Sequence, residues 1–152
     1  MPKSRKNNKG LRTTAKKRAI TNAQKATIIQ AFLEMLTTIK LYHWKTQSYS
    51  QHKATDELHE KLGENSDRFV EVLLGKDASR VRMVEKNLKM IDSPNTDGFL
   101  QKMHAYREMM IHMDSIFHKK RDTDLLSIRD DMLADLNQFL YLMSFDDLVS
   151  QK

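Results

Sequence analysis

Residues 99–117 read FLQKMHAYREMMIHMDSIF. Phe99, Met103, Tyr106, Met110, Met113 and Phe117 recur at alternating steps of four and three, which places six large apolar side chains on one stripe of an α-helix. A strand needs a step of two and finds no support here. The stripe predicts a helix over about 98–120, and the same periodicity, followed outward in both directions, decides the fold class.

Downstream, Asp122, Thr123 and Asp124 are good helix starters, and Leu125, Ile128, Met132, Leu136, Phe139 and Met143 form the next stripe, ending near Phe145. Upstream, Pro94-Asn95-Thr96-Asp97-Gly98 is a cluster of turn formers. Before it, residues 76–97 lack a clear period and read as a long crossover with a short helix at 80–91. Leu58, Leu62, Phe69 and Leu73 mark a helix from about Gln51 to Leu74, with Gly75 as its stop. Ile28, Phe32, Met35, Leu36 and Ile39 mark another over 22–49, and His43 falls at the centre of that apolar face. Two helices, one long connection and two more helices predict an all-α, ferritin-like four-helix bundle over residues 21–150.

Composition agrees with that class. Among 152 residues there are only 2 Pro and 4 Gly, a balance suited to long helices, and the length suits one domain. The absence of Cys removes disulfides and thiolate metal sites, so a metal would be held by His, Asp or Glu. No apolar run is long enough to span a membrane and no apolar signal core opens the chain, so the expectation is a soluble intracellular protein without a membrane partner.

Residues 1–20 stand apart. Lys3, Arg5, Lys6, Lys9, Arg12, Lys16, Lys17 and Arg18 are accompanied by no acid and almost nothing apolar, the composition of a segment that is disordered until bound. These cations suit nonspecific contact with DNA phosphates, repeated in each copy of an oligomer. Lys16-Lys17-Arg18 also fits a localisation signal, and the charge could serve solubility alone.

The chemistry-bearing stretch runs from His43 to Glu71. His43, His52, Asp67 and Glu71 are four possible metal ligands, the last two adjacent on one helical surface, and nitrogen beside hard oxygen suits iron, manganese or zinc. His52 and Asp67 are 15 residues apart, roughly 22 Å along a helix, so one chain cannot put both on one ion. If they share a metal, two antiparallel chains must meet through the first two helices, giving two equivalent sites about a twofold axis. Asp67 and Glu71 point away from the Leu58/Leu62/Phe69/Leu73 stripe, leaving a second face with Gly63, Val70 and Leu74. That face could meet a second copy or a partner helix.

The His43-Trp44 pair, a second histidine at 52, Asp67 fifteen residues on and Glu71 four beyond together resemble the ferroxidase signature of the Dps mini-ferritins. They are also similar to a group of phage and large-DNA-virus proteins with a His-Trp…Ser-Tyr…His…Asp…Glu pattern. The resemblance covers about residues 36–75. It implies that His43, His52, Asp67 and Glu71 bind iron across a dimer, with Trp44 flanking the site. It further implies that iron(II) is oxidised, preferentially by peroxide, in a hollow oligomer associated with DNA, in a nucleoid or a virion. His43 and His52 are nine residues apart where the family normally has twelve, which implies a shorter turn. The Glu-x-x-His motifs of larger ferritin-like carboxylate enzymes are missing from the last two helices.

Other histidines and methionines have plainer readings. His59 lies one heptad after His52 and is an extra ligand or an interface residue. His104, Glu108 and His112 form a ladder opposite the 99–117 stripe and are read as solvent-exposed. Met103, Met110, Met113, Met132 and Met143 fall on core stripes and are read as packing rather than soft-metal ligands. The bland alternatives for the site are a core histidine at 43 and an ordinary solvated surface at 67 and 71. A non-enzymatic DNA-associated or virion structural protein with the same bundle is the rival function.

Overall fold

A computed structural model describes residues 19–147, of which Asp147 only by its backbone. It contains α1 (Asn22–Lys45), α2 (Tyr49–Gly75), α3 (Thr96–Ile116) and α4 (Thr123–Asp147), with no strand among the described residues. The fold is therefore an all-α bundle of four helices. The expected tail lies outside the described residues, save that Ile20, assigned to it from sequence, packs against the core.

Local chemistry sets the helix starts. Thr21 opens α1 with a capping box, its hydroxyl accepting from the Gln24 N–H while the Gln24 side chain accepts from the Thr21 N–H. Ser48 accepts from the Gln51 N–H to start α2, and Asn95 accepts from the Gly98 N–H at 2.9 Å to start α3. Asp122 takes a different part from the expected cap. Its carboxylate accepts from the His118 N–H at 2.7 Å and pairs with Lys76, closing the α3–α4 turn and tying it to the end of α2.

The helices meet side by side and run antiparallel to their neighbours. Phe32 sits edge-on to Phe69 while His43 meets His52, which aligns α1 against α2. The Tyr42 ring stacks on Phe99 at 3.9 Å, and the Thr38 hydroxyl lies 3.3 Å from that of Tyr106, which aligns α1 against α3. Lys76 pairs with Asp124 and Ser50 with Asp146 across α2 and α4. Arg129 reaches Asp114 and Phe139 reaches Phe99 across α4 and α3.

Every predicted core position on α4, from Leu125 to Met143, is buried, as are Phe99, Met103, Met110, Met113 and Phe117. Burial of this kind is worth roughly 1.5–3 kcal/mol for each large apolar side chain. Tyr106 is half-buried, its hydroxyl kept near Thr38.

Three boundaries differ from the sequence expectation. α1 stops at Lys45 rather than 49, because Ser48 starts a new helix and residues 46–48 form the link. α3 stops at Ile116, and Phe117 adopts an extended conformation while staying buried. The short helix expected at 80–91 is absent. That segment has no apolar stripe to bury, and Val84 and Met90 are exposed. α2 does end at Gly75, as the sequence predicts, and the left-handed residue that follows it is Ala78, with φ 52°.

The 76–95 connection is held to α1 along its length. Lys25 Nζ donates to Asp77 and Ser79, Gln30 to the Asn87 carbonyl, and Lys45 to Asp92 and the Ser93 carbonyl, while Glu34 accepts from the Lys89 N–H. It starts at the first turn of α1 and finishes at its last. No helix among the described residues is long and apolar enough to cross a membrane.

Candidate functional site

The link at 46–48 brings the last turn of α1 against the first turn of α2. His43 Nδ1 lies 3.0 Å from the His52 carbonyl oxygen, and His52 Nδ1 lies 3.0 Å from the His43 carbonyl oxygen. A carbonyl can only accept, so both Nδ1 atoms carry a proton, and in the neutral ring the lone pair is then on Nε2. The two rings stack with centroids 3.9 Å apart.

Beneath the pair a polar set fixes the backbone that receives these bonds. The Thr55 hydroxyl donates to the Gln51 carbonyl at 2.7 Å and lies 3.3 Å from His43 Nδ1. The Gln51 side-chain oxygen accepts from Tyr42 at 2.7 Å and from Thr46 at 3.0 Å. His43 is only 6% exposed, so the geometry is held inside the fold, whereas His52 is half-buried at the rim.

One carboxylate faces the pair. Asp56 Oδ1 lies 3.8 Å from His43 Nε2 and 3.6 Å from Lys40 Nζ. The sequence reading passed over Asp56, although it stands four residues after His52, a spacing that puts both on one helix face. His59, one turn further, is half-buried. Burial holds its pKa below the ordinary imidazole value, and the nearby Lys40 cation adds to this against the opposing pull of Asp56. Trp44, expected to flank the site, is 69% exposed, with the Lys40 ammonium 5.9 Å from its ring centroid.

Asp67 and Glu71 lie further along α2, both exposed and one turn apart. The structure thus unites His43 with His52, adds Asp56 beside them, and leaves Asp67 and Glu71 separate. Among the described residues no group of three or more His, Asp or Glu side chains is placed to hold a metal ion within one chain. His104, Glu108 and His112 are exposed on α3. The basic residues Lys3 to Arg18 lie outside the described residues.

No curated protein and no solved structure matches the chain. A family model does, over residues 43–143, a span that begins at the buried histidine of the pair and ends at the core methionine near the end of α4. The chain belongs to that family, described as a family of unknown function, DUF5856.

Proposed function

We propose that the protein is a mini-ferritin of the Dps kind: a homo-oligomer of ferritin-like bundles that binds and oxidises ferrous iron at sites shared by two copies, and associates with DNA through its basic N-terminal segment. The observation that carries this reading is the reciprocal histidine pair. A metal-binding imidazole ordinarily gives its other N–H to a carbonyl or carboxylate, which fixes the ring and points the lone pair outward. His43 and His52 both meet that requirement.

The ferritin-like arrangement is supported by the antiparallel neighbours and by the connection that follows α1 from its first turn to its last. The second copy is supported by the outer α1–α2 surface. Leu33 is 43% exposed there and Trp44 69%, and Gly63 has nothing within 4 Å of where a Cβ would stand. In this reading a second copy presents Asp67 and Glu71 to the His43–His52 pair, completing a nitrogen and oxygen donor set suited to iron. Iron is the substrate. Two ferrous ions each give one electron to peroxide, which takes two protons and leaves as two waters.

The test is metal analysis of size-separated protein, purified without a metal-affinity tag and loaded with ferrous iron under argon, then ferric absorbance after peroxide. The reading expects about two irons per dimer in an oligomer, with both retention and oxidation lost in Asp67→Ala and Glu71→Ala. A monomer retaining no iron would overturn it.

A second reading is a DNA-associated or virion structural protein with no enzyme activity. The eight cations of residues 1–18, with no acid among them, are the observation behind it. Of the 26 Lys/Arg, eight lie in residues 1–18 and one is Lys152, leaving 17 in residues 19–147 against all 20 carboxylates. Binding to phosphate would then fall on the tail. Deleting residues 1–18 is expected to abolish binding, and the full chain to lose affinity with a log–log salt slope of up to about −7 if eight phosphates are neutralised.

A further inference from the structure

A groove of about 570 Å³ separates the start of α2 from the end of α4. Asp56, Glu57, Glu60 and Asp146 stand around it, against one cation, Lys53, and Leu142 and Phe145 give it an apolar floor. Leu142 is 42% exposed and Phe145 50%, so water meets much of that floor. Lys61 pairs with Glu57 at 2.8 Å and the Ser50 hydroxyl donates to Asp146, whereas Glu60 makes no ion pair among the described residues.

The surrounding surface has the same sign. After Arg129 there are five Asp residues and no Lys or Arg through the end of α4. From Asp56 to Glu71, α2 carries six carboxylates against Lys61 and Arg68. Burial raises the Asp135 carboxyl above its ordinary value, with Asp131 and Glu57 pushing the same way against Lys61. The excess of carboxylates over cations on these two helix faces favours a cationic occupant.

The chain carries such an occupant. Residues 1–18 hold eight Lys/Arg, no acid, and in Leu11 one large aliphatic side chain beyond Met1. The segment joins the bundle where α1 begins, beside the end of α2. Glu60 is 15 residues back from Gly75, roughly 22 Å along α2. Eighteen residues can extend over about 60 Å. We propose that residues 1–18 dock in this α2–α4 groove of their own molecule, residues 10–18 spanning the length of the bundle and Lys3, Arg5, Lys6 and Lys9 lying against Glu57, Glu60 and Asp146. The proposal does not depend on iron, and a polyanion that binds the tail competes with the groove for it.

The experiment is carbodiimide cross-linking of the full chain at low salt, which joins lysine amines to carboxylates in direct contact, followed by peptide mass mapping. A mixture of ordinary and nitrogen-15 protein separates links within a molecule from links between molecules. The expected result is linkage of Lys3, Lys6 or Lys9 to Asp56, Glu57, Glu60 or Asp146, within one molecule, falling at least several-fold in 1 M salt as the Debye length shrinks to about 3 Å. Links scattered over α3 carboxylates such as Glu108, links only between isotopically different molecules, or no links would each overturn it.

A second measurement uses the lack of native cysteine. A nitroxide at Ser4→Cys should broaden the NMR signals of Leu142 and Phe145, and the full chain carrying Glu57→Gln, Glu60→Gln and Asp146→Asn should lose that broadening with the remaining spectrum retained. Broadening that persists in the triple variant would also overturn the proposal.

Discussion

His43 and His52 each hand the Nδ1 proton to the other's backbone carbonyl oxygen, both at 3.0 Å, so the end of α1 and the start of α2 are tied twice across residues 46–48. Each ring orients the backbone that orients the other ring. The ring orientations, and with them the directions of both Nε2 atoms, are set by the fold itself.

Removing His52 takes the imidazole donor from the His43 carbonyl, and removing His43 takes one donor from a His52 carbonyl that the Thr55 hydroxyl still reaches at 3.1 Å, while opening a hole in a buried position. His43→Ala and His52→Ala are each expected to cost about 1–3 kcal/mol by denaturant unfolding. Because the two bonds support one another, the double variant should cost less than the two single losses together. Additive losses would mean that the pair is not coupled.

Arg129 is buried at 6% exposure and donates to the Met110 carbonyl, Asp114 and Asp130, each at 2.7 Å. Burial alone would favour loss of its proton, yet its two carboxylate partners hold its pKa above the ordinary value. Arg129→Met is expected to lose roughly 2–4 kcal/mol, and Arg129→Lys to recover only part, since one ammonium cannot reproduce three bonds in a planar fork. Full recovery by lysine would show that charge, not the fork, matters.

Asp77 titrates low for a physical reason: the Lys25 ammonium and the Ser79 groups bond its charged form and hold its pKa at about 2, against an ordinary 3.8. A depressed folded pKa gives stability that is present above the unfolded value and lost as pH falls through the folded one. Thermal unfolding of the wild type should therefore weaken between about pH 4 and pH 2, and Asp77→Asn should show a shallower acid limb over that window. Superimposable limbs would remove Asp77 from the acid response.

At His59 the pKa is also lowered, but because the surroundings disfavour the charged form, where at Asp77 they favour it. Its pKa lies below the ordinary 6.5 through burial first and the Lys40 cation second. The unfolded chain then takes up the proton more readily, so stability falls as pH drops below about 6.5. In an NMR titration, Lys40→Gln should move the His59 midpoint upward, and a midpoint that stays fixed would leave burial as the whole cause.

Gly63 separates the fold from its assembly. A Cβ there meets nothing within 4 Å, so Gly63→Ala should stabilise a single bundle by about 0.5–1 kcal/mol through helix propensity. Gly63→Arg should keep the helical circular dichroism yet reduce the mass seen in analytical ultracentrifugation if a second copy packs on this face. An unchanged mass would place the interface elsewhere.

The helices are legible because each carries a stripe with its own period: Leu125 through Met143 on α4, Phe99 through Met113 on α3 and Phe117 just beyond it are all buried except Tyr106, which is half-buried. The connection was harder, because its partners are polar and distant. Nothing in the local sequence joins Gln30 to the Asn87 carbonyl or Glu34 to the Lys89 N–H, so the sequence alone does not distinguish the irregular 80–91 segment from a short helix. At the site, the distance between His52 and Asp67 followed from helical rise alone. The reciprocal bonds of His43 and His52 depend on the exact tightness of the 46–48 link, which spacing does not encode, whereas Asp56 was visible at four residues after His52 and was passed over.

The lengthwise connection also makes the molecule divisible. It holds to α1 through polar contacts and leaves Val84 exposed at its middle. A single protease nick there would separate two helical hairpins that remain joined by their buried faces, so each half can be supplied as its own polypeptide. The histidine pair lies wholly within the first hairpin, so a cut at that point leaves both of its reciprocal bonds on one fragment.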